Sequence, residues 1–187
     1  MQTGKMYLIC FLCNALPFFA ISQQCDSIPW SPDHSLQWND FKGLPDNRIN
    51  SIALSEPNIY YQFTTVNKLA NLRVTCVFST CHSWVKGKAS INLLQHEQTH
   101  FDLAEYHKRL LVKEILNQQF SKENALFRVK AIGDLVNRNR READELYDLE
   151  TAHSINEKKQ QEWTKRIRKM IMNLDEYDKS GYIITLN

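Results

Sequence analysis

His96, Glu97 and His100 stand in the stretch "LLQHEQTHFDLAEYH" (93–107) as the pattern His-Glu-x-x-His. On a helix, four residues advance the chain by about 400°, so the two imidazoles share one face, one turn apart, and can hold a single zinc ion. Glu97 lies about 100° round the helix from His96. It stays off the metal face, where it can take a proton from water activated at the metal. Leu93 lies one turn before the pair, and Leu103 and Ala104 one turn after. That face is therefore expected to be buried, and buried imidazoles need a metal or hydrogen-bond partners.

A hydrolytic zinc site also needs a third protein donor and an open position for water. His107 shares the face but lies about 10.5 Å of helical rise beyond His100, too far to reach the same ion. A longer pattern with Gly at 103 and His at 106 is excluded, because the chain has Leu103 and Tyr106 there. Glu105, five residues past His100, is turned away and is expected to buttress the helix or a neighbouring loop. The third donor must come from elsewhere in the chain. Glu142 and Glu145 on a second helix qualify, as does His153 before a third.

Three helices and a small sheet are expected to position these groups. Ser90 can cap a helix running to about residue 118, with apolar residues at 91, 94, 101, 104, 111 and 115. A second begins at about Ser121, marked by Ala125, Val129, Ile132 and Val136, and ends near Tyr147. A third starts at about Asn156 and carries an apolar face of Trp163, Ile167, Met170, Ile171 and Leu174. Its opposite face holds Lys158, Lys159, Lys165, Arg166, Arg168 and Lys169 and reads as a solvated basic surface. Before the helices, "IYYQFTTV" (59–66) and "LRVTCVFS" (72–79) read as an antiparallel hairpin joined by "NKLAN", and "INSIAL" (49–54) as a third strand.

The 187 residues suffice for one domain with an ordinary hydrophobic fraction of 43%. Residues 1–22 read as a signal peptide: Lys5, an apolar run from Met6 to Ala20, then small residues at Ala20-Ile21-Ser22. This places a single domain at 23–187 in a secreted or periplasmic setting, with no stable membrane anchor. There Cys76 and Cys81, flanking "VFST", are expected to pair, leaving Cys25. With Lys+Arg 23 against Asp+Glu 21, the net charge of +2 argues against a nucleic-acid partner. His34 and His82 match no pattern and are expected at the surface.

"LLQHEQTHFDLAE" (93–105), preceded by "SWV" (83–85) and followed by "YDLETAHSIN" (147–156), resembles a bacterial family of predicted secreted zinc-dependent proteases. "LQWNDFKG" (36–43) is similar to that family's opening, so the resemblance spans roughly residues 36–170. It implies that the Tyr-Asp-x-x-Thr-x-His segment supplies the third donor, which here is His153. Asp148 would then hold an imidazole's second N–H, and Tyr147 would donate to an oxyanion.

The expectation is an α+β, zincin-like domain: a small antiparallel sheet followed by three main helices. It would be a zinc peptidase acting on peptides or proteins, with metal donors His96, His100 and His153 and with Glu97 and Tyr147 as catalytic groups. The edge of strand 72–79 could pair with an extended substrate. The rivals are a zinc hydrolase of cell-wall amide bonds and a non-catalytic metal-binding scaffold.

Overall fold

Alternation of small and large apolar residues with polar ones builds the sheet. In β4 (Leu69–Ser79), Ala70, Leu72, Val74, Cys76 and Phe78 are buried, while Leu69, Asn71, Arg73 and Thr75 are exposed. This computed structural model describes residues 26–187. The expected leader (1–22) and Cys25 lie outside the described residues. β1 is Ser27–Pro29, β2 Ala53–Leu54, β3 Pro57–Val66, β5 Trp84–Val85 and β6 Gly181–Thr185. The helices are α1 (Ile91–Leu116), α2 (Ala125–Thr151) and α3 (Glu157–Met172).

The architecture is α+β, with a small antiparallel sheet and three helices. β3 and β4 form the expected hairpin, but with a two-residue connection, Val66 facing Leu69. Asn67 takes φ 55°, a conformation asparagine tolerates in tight turns. The residues "LAN" therefore belong to the strand, where Ala70 faces the core. β3 fills one edge of β4, and β1 and β6 share the other, at Val77–Ser79 and Leu69–Arg73. Both edges of β4 are thus occupied, and the expected free edge for a substrate is not there. "INSIAL" contributes only Ala53–Leu54, which pairs with β5 in a separate two-stranded ribbon.

α1 starts where expected: the Ser90 side chain accepts from the Leu93 amide at 3.1 Å. Asn156 caps α3 in the same way, through Lys159 N at 3.2 Å. α2 begins four residues later than Ser121 and runs through Thr151. Its extension past Tyr147 decides the geometry of the site.

Three apolar clusters hold the elements together. The inner face of β4 packs on Leu111, Val112 and Ile115 of α1 and Val129 and Val136 of α2. Phe78 meets Phe101 at a ring separation of 5.8 Å, which seats the first half of α1 on the sheet. Leu103, Tyr147, Trp163 and Ile167 fill the seam where the three helices meet. Among polar core groups, Glu105 pairs with Lys108 and with Arg109, and Arg109 reaches the Ile171 carbonyl, so Glu105 buttresses α1 against α3 as its spacing suggested.

The cysteine expectation is corrected. Cys76 is a free thiol buried on the inner face of β4, whereas Cys81 is disulfide-bonded, so the two do not pair. The physical reason is that β4 stays extended through Ser79, which carries the chain about 10 Å away from Cys76 before it turns.

Candidate metal centre

α1 and α2 pack side by side, and each brings two residues spaced by four to their seam. From α1 come His96 and His100, and from α2 come Asp144 and Asp148. Asp148 Oδ1 lies 3.0 Å from His96 Nε2 and 2.9 Å from His100 Nε2, and the two Nε2 atoms are 3.3 Å apart. Donors bound at 2.0–2.1 Å in a tetrahedral zinc site stand roughly 3.3 Å from one another. His96, His100 and Asp148 therefore form a group that could hold a metal ion. Two imidazoles and a carboxylate are a donor set for a divalent first-row ion, zinc and iron(II) among them.

The surroundings of His100 fit a metal donor. Its Nδ1 lies 3.0 Å from Asp144 Oδ1, and Asp144 Oδ2 in turn accepts from Arg140 at 3.1 Å. With its Nδ1 proton held by Asp144, the neutral ring presents the Nε2 lone pair to the donor triad, the usual carboxylate support of a metal-bound histidine. Without an ion, burial disfavours the charged His100 ring, but hydrogen bonds to Asp144 and Asp148 outweigh it and raise the pKa to about 10. Asp148 shows the converse. Burial would raise its pKa, yet hydrogen bonds from His100 and His96 hold the carboxyl well below the usual range. A cation is favoured at this spot, as a proton or as a metal.

Glu97 is 4% exposed, and its carboxylate has no hydrogen-bond or ion-pair partner among the described residues. It stands close enough to His100 and Tyr147 to perturb both electrostatically. A buried carboxylate without a protein partner beside a donor triad is equipped to accept a proton from water.

Two sequence expectations change. His153 does not join the triad: its Nδ1 is 3.7 Å from Asp148 Oδ1, too long for a hydrogen bond, and its side chain is 77% exposed. Asp148 takes the third position instead, because α2 continues far enough to set Asp144 and Asp148 on one face. Tyr147, expected to donate to an oxyanion, is fully buried. Its ring stacks on His96 at 4.6 Å and meets Trp163 at 5.5 Å, so it backs the imidazole from the core side. Its hydroxyl is enclosed beside Thr99, and His96 Nδ1 is enclosed without a hydrogen-bond partner. Burial pushes the phenol well above its ordinary range. Glu142 and Glu145, the other candidates for the third donor, are exposed and outside the triad.

Past α2 the chain makes an unusual turn. Ala152, His153 and Ser154 have φ values of 48°, 50° and 78°, three successive non-glycine residues in the left-handed region. Each costs about 1–2 kcal/mol relative to right-handed backbone. The turn is pinned by His153 N on the Asp148 carbonyl (3.0 Å) and Asn156 N on the Thr151 carbonyl (2.8 Å). The Asn92 amide also donates to the Ser154 carbonyl. Asn92 is itself held by Gln160 Nε2 at 2.9 Å, so α1, the turn and α3 are tied together at the rim of the site.

Sequence reasoning missed Asp144 and Arg140. Their signal was present as an Arg140, Asp144, Asp148 series at steps of four, legible only if the second helix is carried past Tyr147. A groove of about 530 Å³ lies on the other flank of α1, against α3, lined by Gln95, Thr99, Thr164, Lys165 and Arg168, and it does not contain the donor atoms. No protein-family model, curated protein or solved structure matches the chain.

Proposed function

We propose that this protein is a zinc-dependent metallopeptidase with a zincin-like site, in which His96, His100 and Asp148 hold the ion and Glu97 is the general base. The observation that carries the reading is the donor triad at tetrahedral spacing with the unpartnered Glu97 carboxylate beside it. The resemblance of residues 36–170 to a family of predicted secreted zinc-dependent proteases supports the choice of zinc more than the choice of substrate.

Zinc bound there would polarise a substrate carbonyl and bring the pKa of water toward neutrality. The chain's own residues do the rest. Glu97 accepts the proton of the attacking water and returns it to the leaving amine. Asp144, braced by Arg140, fixes the His100 ring and its tautomer. Tyr147 holds the His96 ring from behind. In this reading the substrate is a peptide or protein met outside the cytoplasm or in a periplasm, and neither nucleic acid nor a stable membrane anchor is involved. Among the described residues no helix is long and apolar enough to cross a membrane.

The test is Glu97→Gln assayed on a mixed peptide library near neutral pH. Zinc content and folding should match wild type while the cleavage rate falls about 10²- to 10⁴-fold, and a chelator should abolish cleavage by wild type. Cleavage by the variant at the wild-type rate would remove Glu97 from the mechanism. A zinc-loaded wild type that cuts cell-wall fragments but no peptide would move the substrate class, and one that cuts neither would favour a binding scaffold.

A further inference from the structure

The left-handed turn at the end of α2 carries an imidazole to the rim of the donor triad and leaves it there with an ion-pair contact to Asp148 but no hydrogen bond. His153 Nδ1 stands 3.7 Å from Asp148 Oδ1, at contact distance but beyond hydrogen bonding, and 77% of the side chain faces solvent. The ring is held from below by backbone: three non-glycine residues with positive φ, fastened to α2 by the His153 amide and to α1 by Asn92. Backbone in sparsely populated conformations, over-determined by its surroundings, concentrates where a side chain must be aimed. The other polar groups at the seam are engaged or enclosed. Arg140 is committed to Asp144, the Asn92 amide to Ser154, and the Tyr147 hydroxyl is sealed in the core.

We propose that His153 is a catalytic residue of the site, donating a hydrogen bond from its imidazole to the substrate oxygen that gains negative charge during hydrolysis. This rests on the hydrolase reading above. The water oxygen forms a bond to the carbonyl carbon, the carbonyl π pair moves onto its oxygen, and the water proton passes to Glu97. The C–N bond then breaks as the oxygen pair returns, and Glu97 protonates the amine. The His153 proton is shared with the oxygen throughout and is not transferred. The role uses what the structure gives His153, an exposed donor beside the triad, and it needs no rearrangement of the three donors. The ligand class is a carbonyl that becomes a tetrahedral anion. Asn92 is a positioning residue acting through the turn.

The experiment compares wild type, His153→Ala, His153→Gln and Asn92→Ala as full-length, zinc-loaded proteins. Zinc stoichiometry, and the visible spectrum of the cobalt-substituted forms, should be the same in wild type and both His153 variants, because the ring is not a ligand. On a cleaved peptide, His153→Ala should lower kcat about 10²- to 10³-fold, the usual loss for one oxyanion donor. KM should change little. His153→Gln, which keeps an N–H donor, should recover part of the loss, and Asn92→Ala should lower kcat by less than His153→Ala. Calorimetric binding of a phosphinic peptide, a tetrahedral anion, should weaken in His153→Ala by a factor similar to the kcat loss. Loss of zinc or an altered cobalt spectrum in His153→Ala would make His153 a ligand and overturn the proposal. Unchanged kcat or unchanged phosphinic affinity would overturn it as well. Should wild type cleave no peptide, the peptidase reading fails by that result alone, and the phosphinic comparison still decides whether His153 contacts an anion held at the triad.

Discussion

Zinc should enter this site by displacing a proton, and the size of the effect follows from His100. In the metal-free protein its pKa is raised to about 10: burial opposes the charge, but Asp144 and Asp148 outweigh it. Zinc needs the Nε2 lone pair, so at pH 7 the ion competes with a proton held about three pH units above ambient. That competition costs about 4 kcal/mol, or ~10³-fold in apparent affinity. Calorimetric titration of zinc into the metal-free protein in buffers of different ionisation enthalpy should therefore show about one proton released at pH 7.5. Competition with a chelator should show affinity rising by about tenfold per pH unit from pH 6.5 to 8.5. The metal-free protein carries a matching signature in its stability. The raised His100 pKa contributes stability that is fully present below its unfolded value of 6.5 and is lost as pH rises toward 10. The depressed Asp148 pKa contributes stability that is present above its unfolded value of 3.8 and is lost in strong acid. Both describe the same hydrogen bonds, so Tm without metal should be highest between about pH 4 and 6.5 and fall toward pH 10. Zinc binding without proton release across pH 6.5–8.5 would refute the reasoning, because the imidazole would then already be free of its proton.

Asp144→Ala should weaken zinc binding about 10- to 100-fold by chelator competition, whereas Glu142→Ala and Glu145→Ala should leave it unchanged. An equal loss from Glu145→Ala would mean that α2 presents a different face to α1. Alkylation of folded protein without reductant should label neither Cys76, which is buried, nor Cys81, which is disulfide-bonded. Unfolding without reductant should expose Cys76 alone of the two, and mass spectrometry of the labelled peptides decides it.

What could be read in advance was local. Ser90 and Asn156 marked the starts of α1 and α3 because an N-cap needs only the next three residues. The His-Glu-x-x-His pair was legible because both imidazoles sit on one helix. The third donor was not, because it depends on where α2 stops. The residues alone left Glu142, Glu145 and His153 open and the resemblance singled out His153, whereas α2 runs on through Thr151 and sets Asp148 on one face with Asp144. No glycine marked the end of α2; Ala152 takes the left-handed conformation there, in a turn held by partners as distant in sequence as Asn92. "INSIAL" had strand composition, but Ile49 and Ile52 are exposed and only its last two residues pair. β1 and β6 escaped notice because their partner, β4, is about 50 and 110 residues away.

That last pairing sets the order of assembly. On the ribosome, β3 and β4 emerge together and can zip at once, and all the donor residues follow before β6 exists. Until Gly181–Thr185 emerges, the stretch of β4 from Leu69 to Arg73 offers an open row of peptide groups, an invitation to another nascent chain. A fragment stopping after α3 would retain His96, Glu97, His100 and Asp148, yet it would lack the strand that closes the sheet under the far half of α1, at Leu111, Val112 and Ile115. The last strand to be made thus acts as a latch: the candidate metal donors are encoded early, and a sheet with no open edge on that side waits for synthesis to pass Thr185.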